Sequence, residues 1–497
     1  MSGIVSVALA DLRERTRTFA MFLVIAVALQ VGFLFVPDAS APYATVDLGG
    51  WRGLYNSAWM GTTTAILTVA LLPLAGFFLI RPALHRDVLL GTHELVAAAP
   101  IARVRFVLGK FVSNVAVLAG VALVLIVAAV VMQLIRGESR TVEFAAYARP
   151  YLIVTLPTCA LTAACTIIVD TARPLRGIGG SALWFFIWIS LLSIPLILTP
   201  DRAGVAAFDP LGFTMLTSAI AAGLHQSVPG ANPHDAMSIG IAPVTGHLRT
   251  FSFDGIRFTS AAVLTRLGWL VASIASCALV GGLAFDLSGR AVVARPQTRF
   301  AGVAARLPLP LLGRIELTQA LGTAGTWWTV GMLALAGAAL VVPVDMLQRI
   351  IAPLIWVWPV GPVAALSTMD ARSGIDDLLR ATPTPALVRI FWRWLAALSL
   401  AIVPIVALAV RDGAGGVALI AIVAASIACG IALGALTRAP VAFEALALAA
   451  WYLGPLNRAP ILDPQTAVRA PLVTVGITTA VAIVALGTAA ARSAWRS

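Results

Sequence analysis

The chain alternates long apolar runs with short polar connections. The runs extend through sixteen to twenty-four residues without the every-second-residue polarity of a strand. In the first half they cover Thr18 to Val36, Ala58 to Ile80, Phe111 to Leu134, Tyr151 to Val169, Ile178 to Leu198 and Leu267 to Phe285. In the second half they cover Thr326 to Val344, Ile351 to Leu366, Trp394 to Val410, Gly416 to Leu436, Val441 to Leu456 and Pro471 to Ala490. A hydrocarbon core about 30 Å thick takes roughly 20 apolar residues of helix. Inside lipid only a helix or a closed barrel pairs every backbone amide, and barrel strands alternate. The pattern therefore predicts an all-α polytopic membrane protein of about 12 transmembrane helices, arranged as two diverged six-helix repeats.

Two polar islands carry the repeat. Gly91 to Pro100 reads GTHELVAAAP and Gly374 to Pro383 reads GIDDLLRATP, an ungapped match in Gly, Leu, Ala and Pro in which Glu94 meets Asp377. Ten residues on, Arg393 stands where Lys110 stands. The halves also open alike, with Asp11-Leu12 and Glu316-Leu317 each a few residues before a first span. The openings overlay at an offset of 305 and the islands at 283, a difference that a shorter first outer loop in the second half accounts for. Val5, Leu9 and Leu12, followed by Arg13, Arg15 and Arg17, predict an interfacial helix along the inner leaflet. A Pro after each island ends one helix and starts another at an angle, giving a cytoplasmic elbow. The expected organisation is a first half over 1–290 with an outer loop at 199–260, a cytoplasmic linker and interfacial helix over 291–325, and a second half over 326–497.

Composition agrees with a bilayer. Hydrophobic residues make up 60% of the 497 and charged residues 11%, which excludes a single water-soluble core with an ordinary surface. The net charge of +12 comes from arginines at span ends and in short loops. That placement points to anionic headgroups as partners and away from nucleic acid. Arg13, Arg15, Arg17, Arg81, Arg86, Arg103, Arg105 and Lys110 orient both termini toward the cytoplasm across the cytoplasmic (inner) membrane, while Glu138, Glu143, Asp412 and Asp463 dilute the arginines of the outer loops.

Candidate chemistry is sparse. Cys159, Cys165, Cys277 and Cys429 fall inside apolar runs without metal spacing. His93-Glu94 opens like a zinc-protease motif, but Ala97 holds the place of the second histidine, and the remaining histidines are scattered, so neither a catalytic nor a metal site is expected. Gly109-Lys110 lacks a Gly five residues earlier and is followed by Phe111, so it forms no phosphate-cradling loop. Glu444, near the start of its span, is expected to reach headgroup level or to pair with Arg438. Trp327, Trp328, Trp356, Trp358, Trp392 and Trp394 lie near span ends as interfacial anchors. Between Thr199 and Ser260 the pattern gives a short helix near Leu211 to Leu224, then a Gly, Pro, Asn and Ser-rich mobile loop at Ser227 to Pro243.

The order of acid and Leu, small residues, Pro, Arg and a closing Gly-Lys before an apolar span resembles the intracellular loop of ABC transporter permeases of the type-2 exporter family. The strings FDPLGF at Phe208 to Phe213 and LTRLGWL at Leu264 to Leu270 also look like that family's region between the fifth and sixth spans. The resemblance implies a coupling role for Gly91, Thr92, Glu94, Leu95, Pro100, Arg103, Gly109 and Lys110, and in the second copy for Asp377, Leu378, Pro383 and Arg393. It further implies a non-enzymatic export subunit with two cytosolic ATP-binding-cassette subunits as partners, and possible pairing with a second permease chain. ATP and Mg belong to the partners, and no cofactor to this chain. A secondary transporter of two six-helix halves and a non-transport membrane scaffold subunit remain alternatives.

Overall fold

A computed structural model describes residues 2–38, 41, 43–81, 101–172, 175, 178–198, 208–231, 237–244, 247–283, 306–324, 326–375, 378–379, 381–412, 416–451, 454–455 and 471–494. The chain divides into two compact units, Met1–Arg176 with Gly180–Gly289, and Gly177–Gly179 with Arg290–Ser497.

The first unit opens with α1 (Ser2–Thr16) and α2 (Phe19–Phe35), whose axes meet at 77°. Strands β1 (Tyr43–Leu48) and β2 (Trp51–Gly53) lead to α3 (Ser57–Ile80), whose first turn is closed by the Asn56 side chain accepting from Trp59 N at 2.8 Å. Helix α4 (Arg103–Arg136) has 34 residues and a length of about 50 Å, so its end turns extend beyond a hydrocarbon core. Helix α5 (Phe144–Pro150) runs through a π turn at Tyr151–Thr155 into α6 (Leu156–Thr171), followed by α7 (Ile178–Leu198). The unit ends with α8 (Phe213–Ser227), β3 (Met237–Pro243), β4 (Arg249–Phe251) and α9 (Ser260–Leu283). Helices α1, α2, α3, α6 and α9 all pack on α4.

The second unit repeats the bent opening, α10 (Leu311–Ala324) meeting α11 (Thr326–Val341) at 88°. A π turn at Leu347–Ile351 precedes α12 (Ala352–Val357) and α13 (Val360–Ser367), and then come α14 (Ala386–Asp412), α15 (Gly416–Thr437), α16 (Pro440–Trp451) and α17 (Pro471–Ala494). Here α10, α11, α13, α15 and α17 pack on α14.

Among the described residues seven helices are long and apolar enough to cross a membrane, or nine if each bent pair is one span. Three shorter apolar helices, Leu183–Ile194, Ala352–Ser367 and Ala442–Trp451, occupy other apolar runs of the sequence. This is an α-helical, multi-pass membrane protein. Leu264, Leu267 and Val271 on α9 and Val473, Ile477 and Val481 on α17 are exposed, the faces a bilayer would cover.

One expectation is corrected. The stretch read as a mobile loop at Ser227 to Pro243 contributes strand β3, which pairs antiparallel with β1, while β4 pairs parallel with β2. Two short pieces about 190 residues apart complete each other here. Phe251 and Phe253 close over Trp59, with ring centroids 5.6 and 6.0 Å away.

Candidate functional site

The island residues Gly91, Thr92, Glu94, Leu95, Pro100 and Asp377 lie outside the described residues. What the structure places is the helix ends next to the islands. Arg103 begins α4 and is exposed; Leu378 is 72% exposed and Pro383 is exposed, so these three are accessible. Lys110 and Arg393 are buried, and their charges are matched within their own bundles.

In the first unit Asp11, 6% exposed, accepts from Lys110 Nζ at 2.6 Å and from Ser113 Oγ at 2.6 Å, with Arg15 2.9 Å from the same carboxylate. Burial pushes the Asp11 carboxyl up, but Arg15 and Lys110 with the Lys110 and Ser113 hydrogen bonds outweigh it and hold it below the usual range. Gly109 makes this contact possible. A Cβ there would lie 2.7 Å from Val7 Cβ and 3.0 Å from Ile4 O, so only glycine lets α1 close on α4. The exposed Val5 and Leu9 point away from that contact, as an interfacial helix requires.

In the second unit Arg393 does what Lys110 does. Its Nε and NH2 bond Glu316 at 3.1 and 2.9 Å, and its NH1 and NH2 bond Asp370 at 2.6 and 2.9 Å. A planar fork can hold two carboxylates at once; a lysine cannot. The packing beside it is inverted, because the bulky residue, Trp392, sits on the span and Gly313 sits on α10, where a Cβ would meet the indole at 2.7 Å.

The departing arms are fixed as well. Arg81, the residue after α3, donates from Nε to Asp170 at the end of α6 (3.2 Å) and from NH2 to Leu175 O (3.0 Å). In the second unit Asp370 follows α13, and Arg389 NH1 donates to Leu379 O, Thr382 Oγ1 and Thr384 O at 2.8, 3.2 and 3.0 Å, pinning the turn that carries Pro383. The helix ends on either side of both islands are therefore held by ion pairs or side-chain hydrogen bonds.

Further parallels run through the bundles. Trp184 Nε1 donates to Pro73 O at 3.0 Å between α7 and α3, and Trp451 Nε1 donates to Pro353 O at 2.7 Å between α16 and α12. At the far end Arg136 of α4 binds Val36 O after α2, and Arg411 of α14 binds Ala339, Leu340 and Val342 O at the end of α11. Both are cations at helix C-termini, where the dipole favours them.

The two strings FDPLGF and LTRLGWL meet. Arg266, 1% exposed, donates to Asp209 O (3.0 Å), Pro210 O (2.9 Å), Val154 O in the π turn (3.2 Å) and Thr158 Oγ1 (3.0 Å). The Asp209 carboxylate caps α8, accepting from Phe213 N, Thr214 Oγ1 and Met215 N. Gly212 has φ 74° and lies against Val154 and Arg266, a place with no room for a Cβ.

Glu444 is half-buried one turn inside α16. Among the described residues no group of His, Cys, Asp and Glu has a metal-holding arrangement. Sequence reading marked Asp11, Lys110, Glu316 and Arg393 without pairing them and passed over Asp170 and Asp370. The available signal was their place at span ends, opposite in sign to the arginines there. Comparison with protein-family models, curated proteins and solved structures gives no match for this chain.

Proposed function

We propose that this chain is the membrane-spanning permease subunit of an ATP-driven exporter, built as two six-span repeats in the cytoplasmic membrane with both termini inside. Two separate ATP-binding-cassette subunits dock on the elbows around Glu94 and Asp377, bind ATP and Mg, and drive alternating access. The chain itself carries no catalytic step. The observation that supports this reading best is the elbow root found in both units, Asp11 with Lys110 and Glu316 with Arg393. An acid on a bent-away opening helix holds a base near the start of the third span of each half. A docked motor needs that kind of rigid lever, because a push on an unanchored loop is lost in the loop's own motion. Arg103, Leu378 and Pro383 are the accessible part of the surface; Gly109, Lys110 and Arg393 act by holding it in place.

The test is co-expression with ATP-binding-cassette subunits from the same genome, with recovery of the complex and its ATPase rate as readouts. Glu94→Lys with Asp377→Lys, and separately Leu378→Asp, should abolish recovery of the ATPase while the purified chain melts as before. Intact assembly and unchanged ATPase activity in both variants would refute docking at the elbows.

A further inference from the structure

Around Arg393 the ends of several helices of the second unit frame a small open cleft. Four arginines line it, Arg389, Arg393, Arg438 and Arg492, with Ser367 and Asp370. Asp370 and Glu316 both engage Arg393. Arg389 commits its NH1 to the turn below it, and Nε and NH2 have no acceptor among the described residues. Arg492, in the last turn of α17, has no carboxylate partner among them.

Helix dipoles draw cations to C-termini, which accounts for an arginine where α15 and α17 end. They do not account for Arg389, which lies in the first turn of α14, the end a dipole makes repulsive to cations. Nor do they account for the backbone of Arg438. Its φ is 54°, the one left-handed value at a non-glycine among the described residues, and its N–H closes α15 on Gly434 O at 2.9 Å. Glycine fills that position without strain. An arginine there keeps the strain, and it lines the cleft.

Guanidinium forks match phosphate oxygens in pairs. The cleft also lies at the end of an apolar bundle, where a bilayer around that bundle would bring its phospholipid headgroups. We infer that it binds a phosphate-bearing anion, delivered either as the headgroup of an anionic phospholipid or as free phosphate. The inference requires a membrane bundle and does not depend on coupling to an ATPase.

The test uses the full chain, delipidated in detergent, with native mass spectrometry and thermal melting. Phosphatidylglycerol and phosphatidylcholine are added in turn, and inorganic phosphate at millimolar concentration in a separate arm. Arg438→Gly relieves the strained backbone, so that variant should melt no lower than the parent without ligand; Arg492→Gln is the second variant. Expected is preferential retention of phosphatidylglycerol, weakened about fivefold by each substitution, the weight of one basic residue at an anionic surface. If inorganic phosphate stabilises the parent and displaces the lipid, the anion is soluble; if it does neither, the source is the headgroup. Equal retention of the two lipids with no response to phosphate, or binding unchanged in both variants, would overturn the proposal.

Discussion

Lys110 Nζ stands 2.6 Å from Asp11 Oδ1, joining two helices whose residues are 99 positions apart, and both side chains are about 5% exposed. Removing one partner of such a buried pair leaves an uncompensated charge, a loss of about 3–5 kcal/mol, whereas replacing both by apolar groups is close to neutral. Arg15 stays near the carboxylate, so Lys110→Met should fall at the lower end of that range. Asp11→Leu combined with Lys110→Met should recover most of the loss in a detergent melting curve. A single variant that melts like the parent would show that the pair does not anchor α1.

Arg266 gives a sharper expectation. Its fork reaches three backbone carbonyls and a threonine hydroxyl from two stretches of the chain. Lysine keeps the charge but has neither the planar spread nor the reach, so Arg266→Lys should strand at least one buried carbonyl at about 1–3 kcal/mol. Hydrogen exchange would then rise at the start of α8 and around the π turn at Tyr151–Thr155, while the second unit stays unchanged. Uniform protection after the substitution would contradict the clamp.

The pairing of β1 with β3 and β2 with β4 should weaken in acid. Glu138 accepts from Arg52 at 2.7 and 3.0 Å and from Tyr55 N at 2.9 Å. The Arg52 hydrogen bond pulls its carboxyl below the ordinary 4.5, against burial that pushes it up. A depressed folded value means that the contribution is complete above the unfolded pKa and is lost as pH falls through the folded one. Arg52 stays charged throughout, because the Glu138 bond outweighs its burial. Exchange protection of Tyr43–Leu48 and Met237–Pro243 should therefore drop below about pH 4.5, and Glu138→Gln should weaken it at neutral pH and flatten the dependence. A pH-independent parent would rule this out.

The helices were legible because lipid imposes a length and a polarity that no other environment does. Thr18 to Val36 matches α2 to within one residue at each end, and Phe111 to Leu134 lies inside the longer α4. The strands were not legible. Met237–Pro243 is seven residues interrupted by Gly240, and its partner Tyr43–Leu48 lies across most of the first unit, so no local pattern announces the pairing. The ion pairs were half legible. Asp11 and Glu316 surface in one register and Lys110 and Arg393 in another, and only folding α1 against α4, and α10 against α14, brings the two registers together. Arg266 resisted reading for a different reason: three of its four partners are carbonyl oxygens, which every residue has.

The inverted packing beside the two roots supplies a test of the repeat itself. In the first unit the span is small at Gly109 and α1 is bulky at Val7; in the second the span is bulky at Trp392 and α10 is small at Gly313. If both are versions of one contact, the two arrangements should be exchangeable. Gly313→Val alone drives a side chain into the indole of Trp392 and should cost about 1–3 kcal/mol. Trp392→Ala alone leaves a gap. Together they approximate the first unit's arrangement, and the double variant should lose less than the sum of the singles by about 0.5–3 kcal/mol of coupling. Melting curves of the four proteins give that number directly, and strict additivity would mean that Gly313 and Trp392 share no contact that the exchange can restore.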